Sequence, residues 1–319
     1  MICRNGAALG CLALSSLALT PAPAFAKEHV ETLPAATPWN VDWAETYCTL
    51  QRKFGSKDDP VLLRMNAFRP GYKFEFYLSG KAIRPFKNRS RVSLAGGQHS
   101  PLESRIRRSG NHEKVFLTFG PHAPLEVEYI QNADNDVFGV GIMFSLTINK
   151  DPNEKKDKDW SLVSGPYPDP AFEKDIDSVA ISSGKRKVIF ETGPMQAPLA
   201  ALRKCLVDLV TQWGLDPEVQ TRLTRFAKPV DLQELARSIQ KIYPSNLAFS
   251  GKQARVNVHA IIDAEGRVTE CSVPASYNDP QFNKLACEQI REARFVPALD
   301  ANGSPVASYW NSTVAYRLN

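Results

Sequence analysis

The sequence predicts an α+β protein. A β-rich antiparallel N-terminal domain with a packed helix precedes a small domain of antiparallel sheet with one or two helices. Three observations predict this. Between residues 39 and 190, apolar and polar residues alternate in short runs divided by Pro and Gly, the pattern of half-buried strands. Next, Leu199, Leu202, Cys205, Leu206, Leu209, Val210 and Trp213 form one apolar stripe at helical spacing. Finally, residues 243–318 read as strand, turn, strand, helix and closing strand. The length of 319 residues allows two domains, and 43% hydrophobic with 23% charged residues marks a globular chain. The expected organisation is a signal peptide over 1–26, a first domain over 27–215, a linker over 216–230 and a second domain over 231–319.

Residues 1–26 carry a positive Arg4, an apolar run from Ala7 to Leu19 and the small-x-small site Ala24-Phe25-Ala26, which read as a cleavable secretory leader. The apolar run is short for a membrane span, and Pro21 and Pro23 interrupt it. An uncleaved leader, serving as a membrane anchor, is the alternative. Secretion to the periplasm places the remaining cysteines in an oxidising compartment. Cys3 and Cys11 leave with the leader, and Cys48, Cys205, Cys271 and Cys287 remain. Four cysteines allow three pairings; the domain split favours Cys48–Cys205 and Cys271–Cys287.

In the first domain, Phe74, Phe76 and Leu78 alternate with Lys73, Glu75 and Tyr77, and Leu125, Val127 and Tyr129 alternate with Glu126 and Glu128. Runs 115–119 and 137–148 are denser and read as central strands. The sheet is expected to be antiparallel, because helical crossovers between runs are missing. Pro198 suits a first helical turn and Gly214 the residue after a last one, bracketing the apolar stripe, whose Cys205 could reach Cys48. Residues 216–230 are polar and mixed. Leu232, Leu235, Ala236, Ile239 and Ile242 mark a second amphipathic helix that Pro244 ends.

In the second domain, Val256, Val258, Ala260 and Ile262 alternate along a strand, and residues 263–266 turn the chain into a returning strand over 268–273. Asp279-Pro280 opens a helix with the stripe Phe282, Leu285, Ala286, Ile290 and Ala293. The last strand would lie at the edge of a small open sheet, where it can accept a partner strand. Its residues Ser308, Trp310, Ser312, Val314 and Tyr316 are the candidate peptide-binding positions.

Other chemistry is not signalled. The five histidines, His29, His99, His112, His122 and His259, show no ligand spacing, and no C-x-x-C occurs, so no metal or cofactor is expected. No G-x-S-x-G elbow, P-loop or H-E-x-x-H is present, and no catalytic residue is assigned. Glu126 and Glu128 read as a solvated face. His259 falls on the face opposite Val256 and reads as a solvent or ligand-groove residue. The formal charge is +5, while residues 243–319 hold seven Lys/Arg against seven Asp/Glu, so the excess sits in the first domain. Arg84, Lys87, Arg89, Arg91, Arg105, Arg107 and Arg108 contribute to it as a solvated loop face, or as a contact for anionic envelope polymer. Nucleic acid is excluded by secretion and by the scarcity of stacking aromatics nearby.

The ordered set Tyr243, Pro244, Gly251, Val256, Val258, Gly266, Val268, Ala293, Arg294, Phe295, Pro297, Gly303, Pro305 and Val306 resembles the C-terminal domain of TonB-family proteins, over about a quarter of the chain. The resemblance implies an open-edged domain that binds an extended peptide of an outer-membrane receptor by strand addition, or peptidoglycan in some relatives. Leu247, Ala254 and the run Ala275-Ser276-Tyr277 depart from the family pattern, and no proline-rich spacer follows the leader. The expectation is therefore a secreted periplasmic binding protein of this family. The alternatives are an anchored energy transducer for TonB-dependent transport, a structural or peptidoglycan-binding envelope module, a homodimer through the edge strand, and an enzyme in the N-terminal domain.

Overall fold

The computed structural model describes residues 28–71, 73–87, 114–127, 130–133, 136–148, 170–274, 279–316 and 318. The predicted leader, most of the basic loop, His99, His112, Glu128 and residues 275–277 lie outside the described residues.

In chain order the first unit contains β1 (His29–Leu33), β2 (Asn40–Trp43), β3 (Cys48–Gly55), β4 (Pro60–Ala67) and β5 (Lys73–Ser79), then a 3-10 turn, Lys81–Phe86. There follow β6 (Val115–Phe119), β7 (Leu125–Glu126), β8 (Gln131–Asn132), β9 (Gly141–Thr147), α1 (Pro170–Lys174), β10 (Val179–Ser183), β11 (Arg186–Phe190) and α2 (Gln196–Gln212). One sheet has the order β1-β11-β10-β6-β7 and the other β2-β3-β4-β5-β9-β8. Period-two alternation gives each sheet an apolar face, and the two faces meet in one core. Phe76 of β5 reaches Phe119 of β6 at 5.9 Å between rings, and Phe54 of β3 meets Phe190 of β11 edge-on at 5.2 Å. All pairings in the larger sheet are antiparallel, but β1 runs parallel to β11. This departs from the antiparallel expectation. The whole intervening domain serves as the crossover between β1 and β11, so no helical crossover is required.

Helix α2 starts with Pro198 in its first turn and ends before Gly214, whose φ of 73° reverses the chain. Leu199, Leu202, Cys205, Leu206, Leu209 and Val210 are buried on one side. The structure joins Cys205 to Cys48 on β3. Closing so long a loop is worth about 4 to 5 kcal/mol in the chain-entropy view.

The stretch expected to be a linker is folded. It holds α3 (Pro217–Thr221), capped by Asp216, and β12 (Lys228–Pro229). The side chain of Gln220 donates to Ala307 O at 3.0 Å and accepts from Ser308 Oγ at 2.7 Å, and the guanidinium of Arg225 donates to Pro297 O. The polar side chains of this stretch satisfy backbone groups of the second unit.

The second unit continues with α4 (Leu232–Lys241), α5 (Ser245–Phe249), β13 (Ala254–Ile262), β14 (Val268–Ser272), α6 (Pro280–Glu292), β15 (Phe295–Val296), β16 (Ala298–Leu299), β17 (Pro305–Val306) and β18 (Ser308–Tyr316). Its main sheet has the order β14-β13-β18, and β12 pairs with β15. Asp279 caps α6 as the sequence suggests, accepting from Gln281 N, and Asp231 caps α4 by accepting from Glu234 N. Helix α6 buries Phe282, Ala286, Cys287 and Ile290 against the sheet, where Cys287 is joined to Cys271 of β14.

Candidate peptide-binding edge and interdomain cleft

Strand β18 pairs with β13 in unbroken antiparallel register from Ala254↔Tyr316 to Ile262↔Ser308, and no other strand flanks it among the described residues. In such a pair, residues alternate between turning both backbone groups toward the partner and turning both away. Two contacts fix the phase. Ala315 O accepts from Gln240 Nε2 at 2.6 Å on the side away from β13, and Ile261 O accepts from Thr269 Oγ1 on the β14 side. The odd-numbered residues Tyr309, Asn311, Thr313 and Ala315 therefore direct their N–H and C=O groups to the open edge. The even-numbered residues direct theirs to β13.

This phase places the side chains of the predicted site set beneath the edge. Ser308, Trp310, Val314 and Tyr316 are buried, and Ser312 is half-buried. Trp310 packs edge-on against Phe295 at 5.3 Å, and Tyr316 lies 4.6 Å from the Phe282 ring with its hydroxyl donating to Phe282 O. Burial pushes the Tyr316 hydroxyl pKa up. These side chains build the core beneath the edge, and their backbone groups are spent on β13. The backbone groups turned to the edge belong to the residues between them, and of these Ala315 O is already taken by Gln240 Nε2; this assignment needs the register as well as the alternation.

The odd-numbered side chains of β13 and β18 face the first unit. There, Thr49, Asn66, Glu75 and Ser145 stand directly opposite one another across β3, β4, β5 and β9, a polar row on the outer face of the larger sheet. The two polar faces interlock. Glu75 accepts from Asn257 Nδ2 at 3.1 Å and from Asn66 Nδ2 at 3.4 Å. Asn257 accepts in turn from Thr313 Oγ1, and Asn311 Nδ2 donates to Phe68 O at 3.2 Å. Burial pushes the Glu75 carboxyl pKa up, against the opposing pull of the Asn257 and Asn66 amides and of the charges on Arg255 and Lys73. Glu75 alternates with apolar neighbours as an exposed residue would; its burial is imposed by the second unit.

His259, expected in solvent or a ligand groove, is 1% exposed. Trp213, at the end of α2, lies against its ring at 4.0 Å. Its Nδ1 meets Asn311 Oδ1 at 3.3 Å, while Nε2 has no hydrogen-bond partner among the described residues. Burial lowers its pKa to about 4, the Asn311 contact opposing. Val210 and Leu215 close the same junction against Ile261 and Tyr309.

Phe68, Arg69, Lys73, Glu75, Asn311 and Thr313 belong to the lining of a cleft between the two units, beside the middle of β18. No group of three or more His, Cys, Asp or Glu residues close enough to hold a metal ion occurs among the described residues. No helix among them is long and apolar enough to cross a membrane.

Residues 239–318 match the family described as Gram-negative bacterial TonB protein C-terminal. The C-terminal unit is a TonB-like domain. Domains of this family take part in interactions of the Gram-negative envelope. A solution NMR structure of the Pseudomonas aeruginosa TonB C-terminal domain aligns with 29% of this chain and 87% of its own, at 21% identity and a TM-score of 0.23. No curated protein matches the chain. The family match ends at the TonB-like domain, so the partner unit packed against its sheet lies outside it.

Proposed function

We propose that this chain is a secreted binding protein of the envelope whose TonB-like domain accepts an extended peptide of an outer-membrane receptor as a fourth strand on β18. The observation that carries this reading is the nine-residue strand paired, among the described residues, on one side only. Backbone pairing along such an edge supplies affinity, and pockets beside it supply selectivity. No side chain is assigned a catalytic role. An energy-transducing role would need an anchor upstream, and a second copy of the chain could use the same edge.

The test uses proline on the edge. The N–H of Thr313 points away from β13, so Thr313→Pro removes a donor from the open side and leaves the β13 ladder intact; Thr313→Val, which removes only the Oγ1 bond to Asn257, is the control. Isothermal titration of the full chain with peptides from the periplasmic segments of outer-membrane receptors should show saturable heat that Thr313→Pro abolishes, with an unchanged circular dichroism spectrum. A flat titration across the panel would sink the reading. Light scattering that rises to twice the monomer mass with concentration would assign the edge to a second copy.

A further inference from the structure

Helix α4 runs along the β18 edge of the TonB-like sheet. Its start is fixed near Trp310. Pro229, just before the Asp231 cap, pairs with Phe295, Val230 N donates to Arg294 O, and the Phe295 ring meets Trp310 at 5.3 Å. Its end is fixed at Ala315, whose outward-turned carbonyl accepts from Gln240 Nε2 at 2.6 Å. From Val230 to Gln240 a helix rises about 15 Å, and from Trp310 to Ala315 a strand advances about 17 Å. The lengths agree, so helix and strand lie side by side. Helix α6 packs on β14 and β13, and α4 packs against α6, which leaves β18 beneath α4 and the far flank of α4 beside the edge. Helical phase identifies that flank. Leu235 and Ile239 are buried beneath the helix. Leu232, Ala236 and Gln240 recur at four-residue spacing along one side of that buried stripe. Gln240 is the member that reaches the edge, so Leu232 and Ala236 face the same way. Both are exposed, Leu232 at 45%. By the same rises, Leu232 stands about level with Ser312, and Ala236 about level with Thr313 and Val314.

We propose that Leu232 and Ala236 form an apolar shelf for the segment accepted on β18, and that this segment is an amphipathic strand with apolar side chains turned to α4 and polar ones to the first unit. The inference rests on the strand-addition reading and specifies the class of segment it admits. Residues directly opposite in a paired strand share a face. Guest residues opposite Ser312 and Val314 would therefore lie against Leu232 and Ala236. Those opposite Asn311 and Thr313 would lie beside polar side chains on the other face. The shelf adjoins the outward-turned backbone groups of Asn311 and Thr313, which no strand pairs among the described residues and which an extended segment satisfies. An apolar side chain there covers leucine surface that is otherwise in water.

The experiment uses the full chain and nine-residue threonine peptides, acetylated and amidated, followed by fluorescence anisotropy. Two central threonines are replaced by leucine, either two positions apart or adjacent. The compositions are identical, but only the first peptide can turn both leucines to α4. It should bind about tenfold more tightly than the adjacent isomer, the effect of partly burying one further leucine. Leu232→Thr should reduce that preference to under about threefold without weakening the all-threonine peptide. Leu232→Met, which keeps an apolar side chain at the site, should retain it. Val30→Thr, which changes an exposed apolar residue on β1, should leave it unchanged. Equal binding of the two isomers, or a preference that survives Leu232→Thr, would overturn the shelf while strand addition stands. Binding of no peptide overturns both.

Discussion

Trp213 and Asn311 close over His259, whose Nε2 has no hydrogen bond among the described residues, so a proton there would be a charge with neither solvent nor a described partner. The folded-state pKa of about 4 lies below the ordinary histidine value near 6.5. Above pH 6.5 the ring is neutral in both folded and unfolded chains, and the stability is intact. As pH falls from about 6.5 towards 4, the unfolded chain takes up the proton first, and stability drops by about 3 kcal/mol in all. Glu75 acts in the opposite sense: its raised carboxyl pKa means the folded chain takes up that proton before the unfolded one does, which favours folding as pH falls. The two contributions separate by substitution. His259→Phe keeps an aromatic ring against Trp213 and removes the titrating group. The thermal midpoint of the parent should fall more steeply than that of His259→Phe between pH 6.5 and 4.5. Parallel curves would refute this account. The sequence places His259 on the correct face of β13; only the packing of α2 against that face shows the face to be closed.

The turn from β13 to β14 depends on Gly266. Its φ is 78°, and an added Cβ would lie 2.0 Å from Phe295 O. The same carbonyl region is tied back, since Phe295 N donates to Gly266 O at 3.0 Å. Gly303 has nearly the same φ, 79°, but nothing stands within 4 Å of its missing Cβ. The pair separates backbone strain from steric exclusion. Gly303→Ala should cost about 1 kcal/mol, the strain alone, whereas Gly266→Ala should cost more than about 3 kcal/mol, because backbone must move. Urea denaturation measures both, and equal losses would show that the Phe295 contact is unimportant. The turn glycines Gly214 and Gly266, the Asp279 cap and the α2 stripe were legible, because each reports its own stretch of chain. The phase of β18 was not. Alternation reveals that two faces exist, whereas the choice of residues whose backbone groups meet β13 depends on register with a strand some fifty residues away.

Asn257 links the two units. It donates to Glu75 on β5 and accepts from Thr313 on β18, so it completes a polar contact between two sheets from different units. Asn257→Ala would leave the Glu75 carboxylate with one fewer donor at a buried junction. The expected loss is about 1 to 3 kcal/mol. Calorimetry should then show the two units melting further apart than in the parent chain; an unchanged, superimposed transition would mean that the apolar plug of Trp213, Tyr309 and Ile261 holds the units together unaided. This contact also bears on recognition. The first unit covers the face of the TonB-like sheet that bears the odd-numbered side chains, and among the described residues no strand pairs with its β18 edge. A guest on that edge would therefore lie beside both units.

Local chemistry written into the chain determined the α+β class, the Asp279 cap and the turn glycines Gly214 and Gly266, the four cysteines beyond residue 26, and the TonB-like order of the last quarter. Each depends on residues close in sequence, or on a pattern that survives without knowing its partner. Tertiary structure decided the burial of Glu75 and His259, the folding of residues 216–230 onto the second unit, the parallel β1–β11 pair and the phase of the open edge. A polar residue at period two looks the same in sequence whether it faces water or a second polar sheet, and only the packed molecule distinguishes the two.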